Sequence, residues 1–169
     1  MLQLQTYDVE YVFLQIRAKS VGETSSITIK CEECGHRVPV TINLEDAYVQ
    51  TSDDFQQEKT IEITDGIGIT LEGLSLAKAR SIDPNSTDLT KTVKLFIKSI
   101  YDTDGVYLAS ESSDEEIKTF VESLPHKVLE EINSYISLVP TLVIDVKFTC
   151  PKCGHNNEIQ IKGLASFFE

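Results

Sequence analysis

Four cysteines in two CxxC pairs are the residues of this sequence best suited to chemistry. The pairs lie in CEECGH at 31–36 and CPKCGH at 150–155, and they include every cysteine of the chain. Two sulfurs at this spacing can point at one metal ion, because the glycine that follows lets the backbone curl beneath them. The sequence therefore predicts one tetrahedral site for a structural Zn²⁺ ion, with the ligands Cys31, Cys34, Cys150 and Cys153.

Two other roles for these motifs stay open. CxxC pairs also serve as redox centres, in which a helix N-terminus activates one cysteine. Both pairs here lead into strand-like sequence, which does not favour that activation. His36 and His155 follow the pairs and are alternative ligands, although four sulfurs already complete a zinc shell. A complete shell leaves no position for water or substrate, which favours a structural metal over hydrolysis.

The sequence around both pairs alternates apolar and polar residues, as β-strands do. Each pair is therefore predicted to lie at the tip of a β-hairpin. The two hairpins align at an offset of 119 residues, which makes them an internal pseudo-repeat. Two hairpins that share one ion resemble a zinc ribbon, with predicted halves at 26–43 and 143–163.

The spacing of the two half-sites is unusual. Residues 35–149 separate them, a gap of 115 residues against the usual ~15 to 20. Loop closure over the longer gap costs only roughly 1.7 kcal/mol more, whereas structural zinc supplies an apparent ~10 to 16 kcal/mol. The sequence thus predicts a single domain over 1–169, in which 44–142 form an insertion.

Helix and strand patterns place this domain in the α+β class. A helix is predicted over 8–21, with an inward face of Val9, Val12, Phe13 and Ile16. A second apolar strip on this helix fits either burial within the domain or contact with a partner protein. The C-terminal Phe167 and Phe168 likewise fit either packing on the domain or docking.

The insertion is predicted to mix helices and strands. Its strands at 60–64 and 67–71 form an exposed acidic hairpin. A helix capped by Ser86 or Thr87 continues through Ile100. Two more helices follow, one begun by the capping box of Ser113 and Glu116 and one over 125–138. The whole chain then has four helices and about six strands.

Composition excludes several function classes. The chain has 15 basic and 27 acidic residues, a formal net charge of −12, which repels nucleic acid and anionic lipid. We expect a soluble, intracellular protein without a nucleic-acid or membrane partner. The sequence shows no catalytic constellation and no glycine-rich phosphate loop, so we expect no enzymatic activity.

Both ends of the chain resemble one protein family. The run DVEYVFLQIRAKSVGE at 8–23, the following IKCEEC and the ending CPKCGHNNEIQIKGLASFF are similar to the baseplate hub family of T-even-type contractile-tailed phages, the product of gene twenty-six and its relatives. The resemblance implies a structural or assembly part of the tail hub, found in the virion or in the host cytoplasm during assembly. Its partners would be other hub proteins, and its oligomeric state stays open.

The resemblance also suggests where contacts lie. Candidate contact residues on the first helix and the C-terminal tail are Tyr11, Leu14, Arg17, Lys19, Phe167 and Phe168. Two other function classes remain open. One is a zinc-ribbon module that binds nucleic acid, and the other is a cell-wall hydrolase of the tail.

Overall fold

The structure is a computed structural model that describes residues 4–79 and 89–168. It confirms an α+β fold. The helices within the described residues are α1 (Thr6–Val21), α2 (Leu76–Ala79), α3 (Leu89–Phe96), α4 (Asp114–Ser123) and α5 (His126–Leu138). The strands are β1 (Thr24–Lys30), β2 (Arg37–Asn43), β3 (Tyr48–Gln50), β4 (Glu58–Thr64), β5 (Ile67–Glu72), β6 (Ile97–Tyr101), β7 (Val106–Leu108), β8 (Thr141–Thr149) and β9 (Asn156–Lys162).

The chain divides into two compact units. The described residues of the knuckle unit are 7–51 and 140–168, and those of the central unit are 4–6, 52–79 and 89–139. The sequence predicts one domain with an insertion from residue 44. In the structure the central unit begins at residue 52, because Leu44 and Ala47 are buried in the core of the knuckle unit.

The knuckle unit contains both predicted hairpins. β1 pairs antiparallel with β2, and a second antiparallel sheet has the order β3-β8-β9. The inward side chains of these strands alternate with exposed ones, as expected for sheets with one buried face. The two CxxC pairs therefore occupy the turns between β1 and β2 and between β8 and β9.

α1 confirms the predicted helix but turns the opposite face inward. Leu14 and Ala18 are buried in the core of the knuckle unit. Val12, Phe13 and Ile16, which the sequence places inside, are 56%, 53% and 62% exposed. The prediction of the inward face is wrong because both sides of this helix carry apolar residues, so their period alone does not select one.

The central unit is built on a four-stranded antiparallel sheet of order β4-β5-β6-β7. Ile61, Ile69 and Leu71 of its first two strands are buried, so the predicted acidic hairpin is not exposed as a whole. Its acidic side chains occupy one face, and the other face belongs to the core. Core residues of α3, α4 and α5 include Phe96, Val121 and Ile132.

Two further predictions for the central unit can be compared with the structure. The helix predicted to reach Ile100 ends at Phe96, and its last part is strand β6, which pairs with β5. The predicted cap of that helix at Ser86 or Thr87 lies outside the described residues. The capping box is confirmed, since Glu116 donates its backbone N–H to Ser113 Oγ at 3.3 Å and accepts from Ser113 N at 2.8 Å. Within the described ranges, the helices are all too short or too polar to cross a bilayer.

Candidate metal centre

The two CxxC turns, called here the first knuckle (31–36) and the second knuckle (150–155), have the same backbone geometry. In the first, Cys31 N–H donates to the carbonyl of His36 at 2.9 Å and Gly35 N–H to the carbonyl of Cys31 at 2.9 Å. The second knuckle repeats both bonds at 2.8 and 2.9 Å. Gly35 and Gly154 have φ of +66° and +74°, a conformation that favours glycine, so each motif closes its turn through that residue.

The knuckles bring all four predicted ligands together. The four sulfurs lie within 4.8 Å of one another. Cys31 Sγ is 3.7 Å from Cys153 Sγ, and Cys34 Sγ is 3.7 Å from Cys150 Sγ. A tetrahedron with Zn–S bonds of about 2.3 Å has edges of about 3.8 Å, whereas a disulfide needs about 2.05 Å. The observed spacing therefore fits a shared metal ion and does not fit a disulfide.

Burial and hydrogen bonds prepare the sulfurs for a cation. Cys31 and Cys150 are buried, Cys34 is half-buried and Cys153 is exposed. A hydrogen bond from the backbone of Cys34 lowers the pKa of Cys31 to about 6. Burial would raise the pKa of Cys150, but backbone bonds from Cys153 and Lys152 lower it overall. These N–H groups stabilise thiolates, which are the form that binds metal.

The cluster also shows the cost of gathering four thiolates without a cation. A backbone hydrogen bond from His155 lowers the pKa of Cys153, but desolvation and its contacts with the three other cysteines raise that pKa to about 12. Cys153 thus holds its proton more tightly than a free cysteine, because three other sulfurs lie close to it. A divalent cation would relieve this repulsion, so the chemistry of the donor set fits Zn²⁺.

The histidines are not part of this ligand group. Within the described residues, the group of candidate ligand atoms consists of the four sulfurs alone. The backbone carbonyls of His36 and His155 instead accept the hydrogen bonds that close the knuckles. A strand follows each knuckle, so a helix N-terminus does not activate either pair, as the sequence predicts.

Asn157 is a residue of the site that the sequence analysis missed. It is 1% exposed, and its Oδ1 accepts from the backbone N–H of Glu32 in the first knuckle at 3.0 Å. Its Nδ2 donates to the carbonyl of His155 in the second knuckle at 3.2 Å. A further hydrogen bond from the Asn157 side chain helps to lower the pKa of Cys31. The pseudo-repeat contains a signal for it, since the offset of 119 places this amide opposite the apolar Val38.

We expect Asn157→Asp to weaken metal binding and to destabilise the knuckle unit. The carboxylate still accepts from Glu32, but it cannot donate to His155, and it adds negative charge beside the thiolates. The carbonyl of His155 still accepts from Cys150 N–H, so the variant loses one hydrogen bond, about 0.5 to 1.5 kcal/mol, and adds a buried charge beside the thiolates. Together these effects correspond to a roughly tenfold or greater loss of affinity. Chelator competition and thermal melting measure both effects. Asn156→Asp is the matched control, because Asn156 is exposed and only accepts from Thr149 Oγ1. Equal affinity and melting of the two variants would contradict this role.

The predicted contact residues divide into exposed and buried groups. Tyr11 and Phe168 are 38% and 40% exposed, and Lys19 is exposed and paired with Glu45. Leu14 and Phe167 are fully buried, so their location does not fit the predicted contact role.

Arg17 lies between these two groups. It is half-buried, donates to the carbonyl of Gly22 at 2.8 Å and stacks 5.6 Å from the ring centre of Phe168. The outer face of α1 is the face that the sequence predicts to point inward, and it is formed by Val9, Val12, Phe13 and Ile16.

Comparison with known proteins identifies the family. Residues 1–169, the whole chain, match the model of the family described as T4 bacteriophage base plate protein. No curated protein and no solved structure matches this chain. The chain therefore belongs to the T4 bacteriophage base plate protein family, whose members are structural components of the phage tail baseplate that contact other baseplate proteins.

Proposed function

We propose that this chain is a non-enzymatic part of the hub of a contractile-tail baseplate, acting as a structural subunit or as an assembly factor. Family membership supports the baseplate assignment. The resemblance of both chain ends to the hub family supports the finer assignment to the hub. The chain stabilises its own fold through Zn²⁺ and acts by protein contact.

The sulfur geometry is the observation that carries the metal part of the proposal. Two pairs of sulfurs lie 3.7 Å apart, each pair joining one sulfur of the first knuckle to one of the second, and these distances match the edges of a zinc–thiolate tetrahedron. Cys31, Cys34, Cys150 and Cys153 would hold the ion, which would bridge the β1–β2 hairpin and the β8–β9 hairpin. With four protein ligands the ion has no open position, so its role is structural.

The outer face of α1 is the surface we propose for contact with other hub proteins. Val12, Phe13 and Ile16 expose more than half of their side chains and recur at helical spacing, so they form one apolar strip. Tyr11, Lys19 and Phe168 from the sequence analysis also remain candidates for contact, because they are exposed. A strip of this kind on a soluble protein marks a protein interface.

The proposed hub function is tested in phage particles. We expect loss of this chain to stop hub assembly. In phage that carry the chain, mass spectrometry of purified particles and of infected-cell lysate distinguishes the two roles. A structural subunit is found in the particle, whereas an assembly factor is found only in the lysate. Normal tails assembled without the chain would overturn the proposal.

The same experiment tests the contact surface. We expect Phe13→Ser with Ile16→Ser to reduce hub assembly by about tenfold or more, because an apolar anchor in an interface contributes about 2 kcal/mol. Val21→Ser is the matched control, since Val21 is 72% exposed on the same helix but lies outside the outer face. Equal assembly by both variants, with equal metal content and melting, would exclude this face.

A further inference from the structure

Strand β7 is an exposed apolar edge of the central sheet. Its three residues, Val106, Tyr107 and Leu108, are 67%, 48% and 41% exposed, so neither of its faces is covered. β7 pairs with β6 on one side, and in the described part of the chain no strand pairs with its other side. Proteins usually protect such edges, because an open strand pairs readily with another chain.

The hydrogen bonds of β7 show which backbone groups are open. Asp102 N–H donates to the carbonyl of Gly105, and Ala109 N–H donates to the carbonyl of Lys98, both at 3.0 Å. In an antiparallel ladder these bonds alternate, so Gly105, Tyr107 and Ala109 turn their backbone groups toward β6. Both backbone groups of Val106 and the N–H of Leu108 therefore point away from the sheet, where an added strand would bind. The carbonyl of Leu108 is not open, because it accepts from the backbone N–H of Glu111 at 3.0 Å and from Ser112 Oγ at 3.3 Å.

The charge around this edge is strongly negative. The segment 101–117 has six acidic residues and no basic residue. Lys98 on β6 is paired with Glu58 at 2.6 Å, and Lys94 on α3 is paired with Asp114 of this segment. The negative charges of Asp102 and Asp104, together with desolvation, raise the pKa of Tyr107. The field at β7 thus favours a cationic partner.

The opposite edge of the same sheet is protected. Strand β4 carries Glu58, Lys59 and Glu62, and charged side chains of this kind block pairing with another strand. Of the two edges of this sheet, β7 is the one with exposed apolar side chains and no charged residue within the strand. A second copy of the chain is a poor partner for it, since two acidic β7 edges would repel each other.

We propose that β7 is a docking edge for an extended basic segment of another protein, which adds to the sheet as a fifth strand. Backbone bonds to the N–H and C=O of Val106 and to the N–H of Leu108 provide the pairing, and lysine or arginine side chains of the partner meet the acidic residues around the edge. This surface goes beyond the proposed hub function and is independent of the metal. Its failure would leave both of those proposals in place.

The test uses the full chain with its metal and three synthetic peptides. The probe is the basic strand-forming peptide Thr-Lys-Val-Lys-Val-Lys-Thr. The first control replaces each lysine with glutamate. The second, Thr-Lys-Pro-Lys-Pro-Lys-Thr, keeps the charge but lacks two backbone N–H groups, so it cannot pair as a strand. Two-dimensional NMR titration gives the affinity, and amide exchange reports the hydrogen bonds at β7.

We expect the basic peptide to bind at least about tenfold more tightly than either control and to slow amide exchange at Val106 and Leu108 by about tenfold or more. Leu108→Pro should abolish this binding, because it removes an outward N–H and leaves the bonds to β6 intact, whereas Leu108→Thr should retain it. Asp104→Lys with Glu111→Lys should weaken binding by at least about tenfold without altering the edge.

Three results would overturn the proposal. Absence of shifts at β7 up to about 5 mM basic peptide would exclude strand addition. Equal binding of the proline peptide would show charge attraction without pairing. A dimer of the chain that Leu108→Pro abolishes would identify a second copy as the occupant.

Discussion

Replacement of Cys31 by serine is expected to abolish stable zinc binding and to unfold the knuckle unit. Cys31 is 2% exposed, and its sulfur lies 3.7 Å from that of Cys153 in the opposite knuckle. Structural zinc contributes an apparent ~10 to 16 kcal/mol, which is as large as the whole stability of a typical domain, about 5 to 15 kcal/mol. Elemental analysis should find one zinc per chain in the wild type and none in the variant, and chelator should lower the melting temperature of the wild type only.

The matched control for this variant is His36→Ser. His36 is exposed and lies in the same knuckle, but only its backbone carbonyl takes part in the turn. We expect it to keep its zinc and its melting temperature. A Cys31→Ser protein that retains zinc at one per chain and melts like the control would rule out the metal centre.

The metal centre should also be sensitive to acid. The proposed Zn²⁺ ion would hold all four sulfurs as thiolates, so protons would compete with it for the same atoms. The pKa of Cys31 is lowered to about 6, chiefly by the backbone N–H of Cys34. The stability that this thiolate contributes is therefore present at high pH and is lost as the pH falls through about 6. Zinc release measured against pH should follow that direction.

Phe167→Ala is expected to destabilise the knuckle unit by about 3 to 5 kcal/mol, the usual cost of removing a buried aromatic ring. Phe167 is fully buried and belongs to the same core as Leu14, Leu44 and Ile144. The tail thus packs on its own unit at this position. Urea unfolding, followed by NMR signals of residues 7–51 and 140–168, measures the loss separately from the central unit.

Phe168→Ala serves as the neighbouring control. Phe168 is 40% exposed, and its described ring contact is with the guanidinium of Arg17 at 5.6 Å. Such a cation–π contact contributes only about 0.5 to 1 kcal/mol at an exposed site. Similar losses for the two variants would contradict the division of the tail into a buried and an exposed phenylalanine.

For helix α1, the sequence predicts the position of the helix but not its inward face. Its position was predictable, because Asp8 in the first turn, Lys19 in the last turn and Gly22 directly after it mark its ends. Its inward face was not, since Leu14 and Ala18 on one side and Val12, Phe13 and Ile16 on the other are equally apolar. The choice depends on which side meets the strands of the knuckle unit, and that is a property of the tertiary structure.

The four candidate ligands of the metal centre were predictable from the sequence, but the residue that supports them was not. Spacing and pseudo-repeat identified all four cysteines, because the two turns need the same residues for the same geometry. The role of Asn157 was not predicted, because asparagine is uncommon in strands and is usually exposed. The sequence feature that distinguishes Asn157 is its alignment with the apolar Val38 in the pseudo-repeat.

The central unit was the harder part to predict. α3 and β6 follow one another without a turn, so the helical period appeared to continue through Ile97 and Ile100. β7 was not predicted as a strand, because three residues are too few to show alternation. Its edge position depends on pairing with β6, which sequence alone does not give.

The order of the units along the chain has a consequence for biosynthesis. Residues 52–139 lie between the two halves of the knuckle unit, so β8, β9 and Phe167 leave the ribosome after the central unit. Cys31 and Cys34 must wait as a free half-site until Cys150 and Cys153 emerge, since contacts at such sequence separation form late. Capture of the proposed Zn²⁺ ion would therefore come near the end of synthesis. A chain that ends within the central unit lacks β8, β9 and Phe167, so it cannot complete the knuckle unit that supports the outer face of α1.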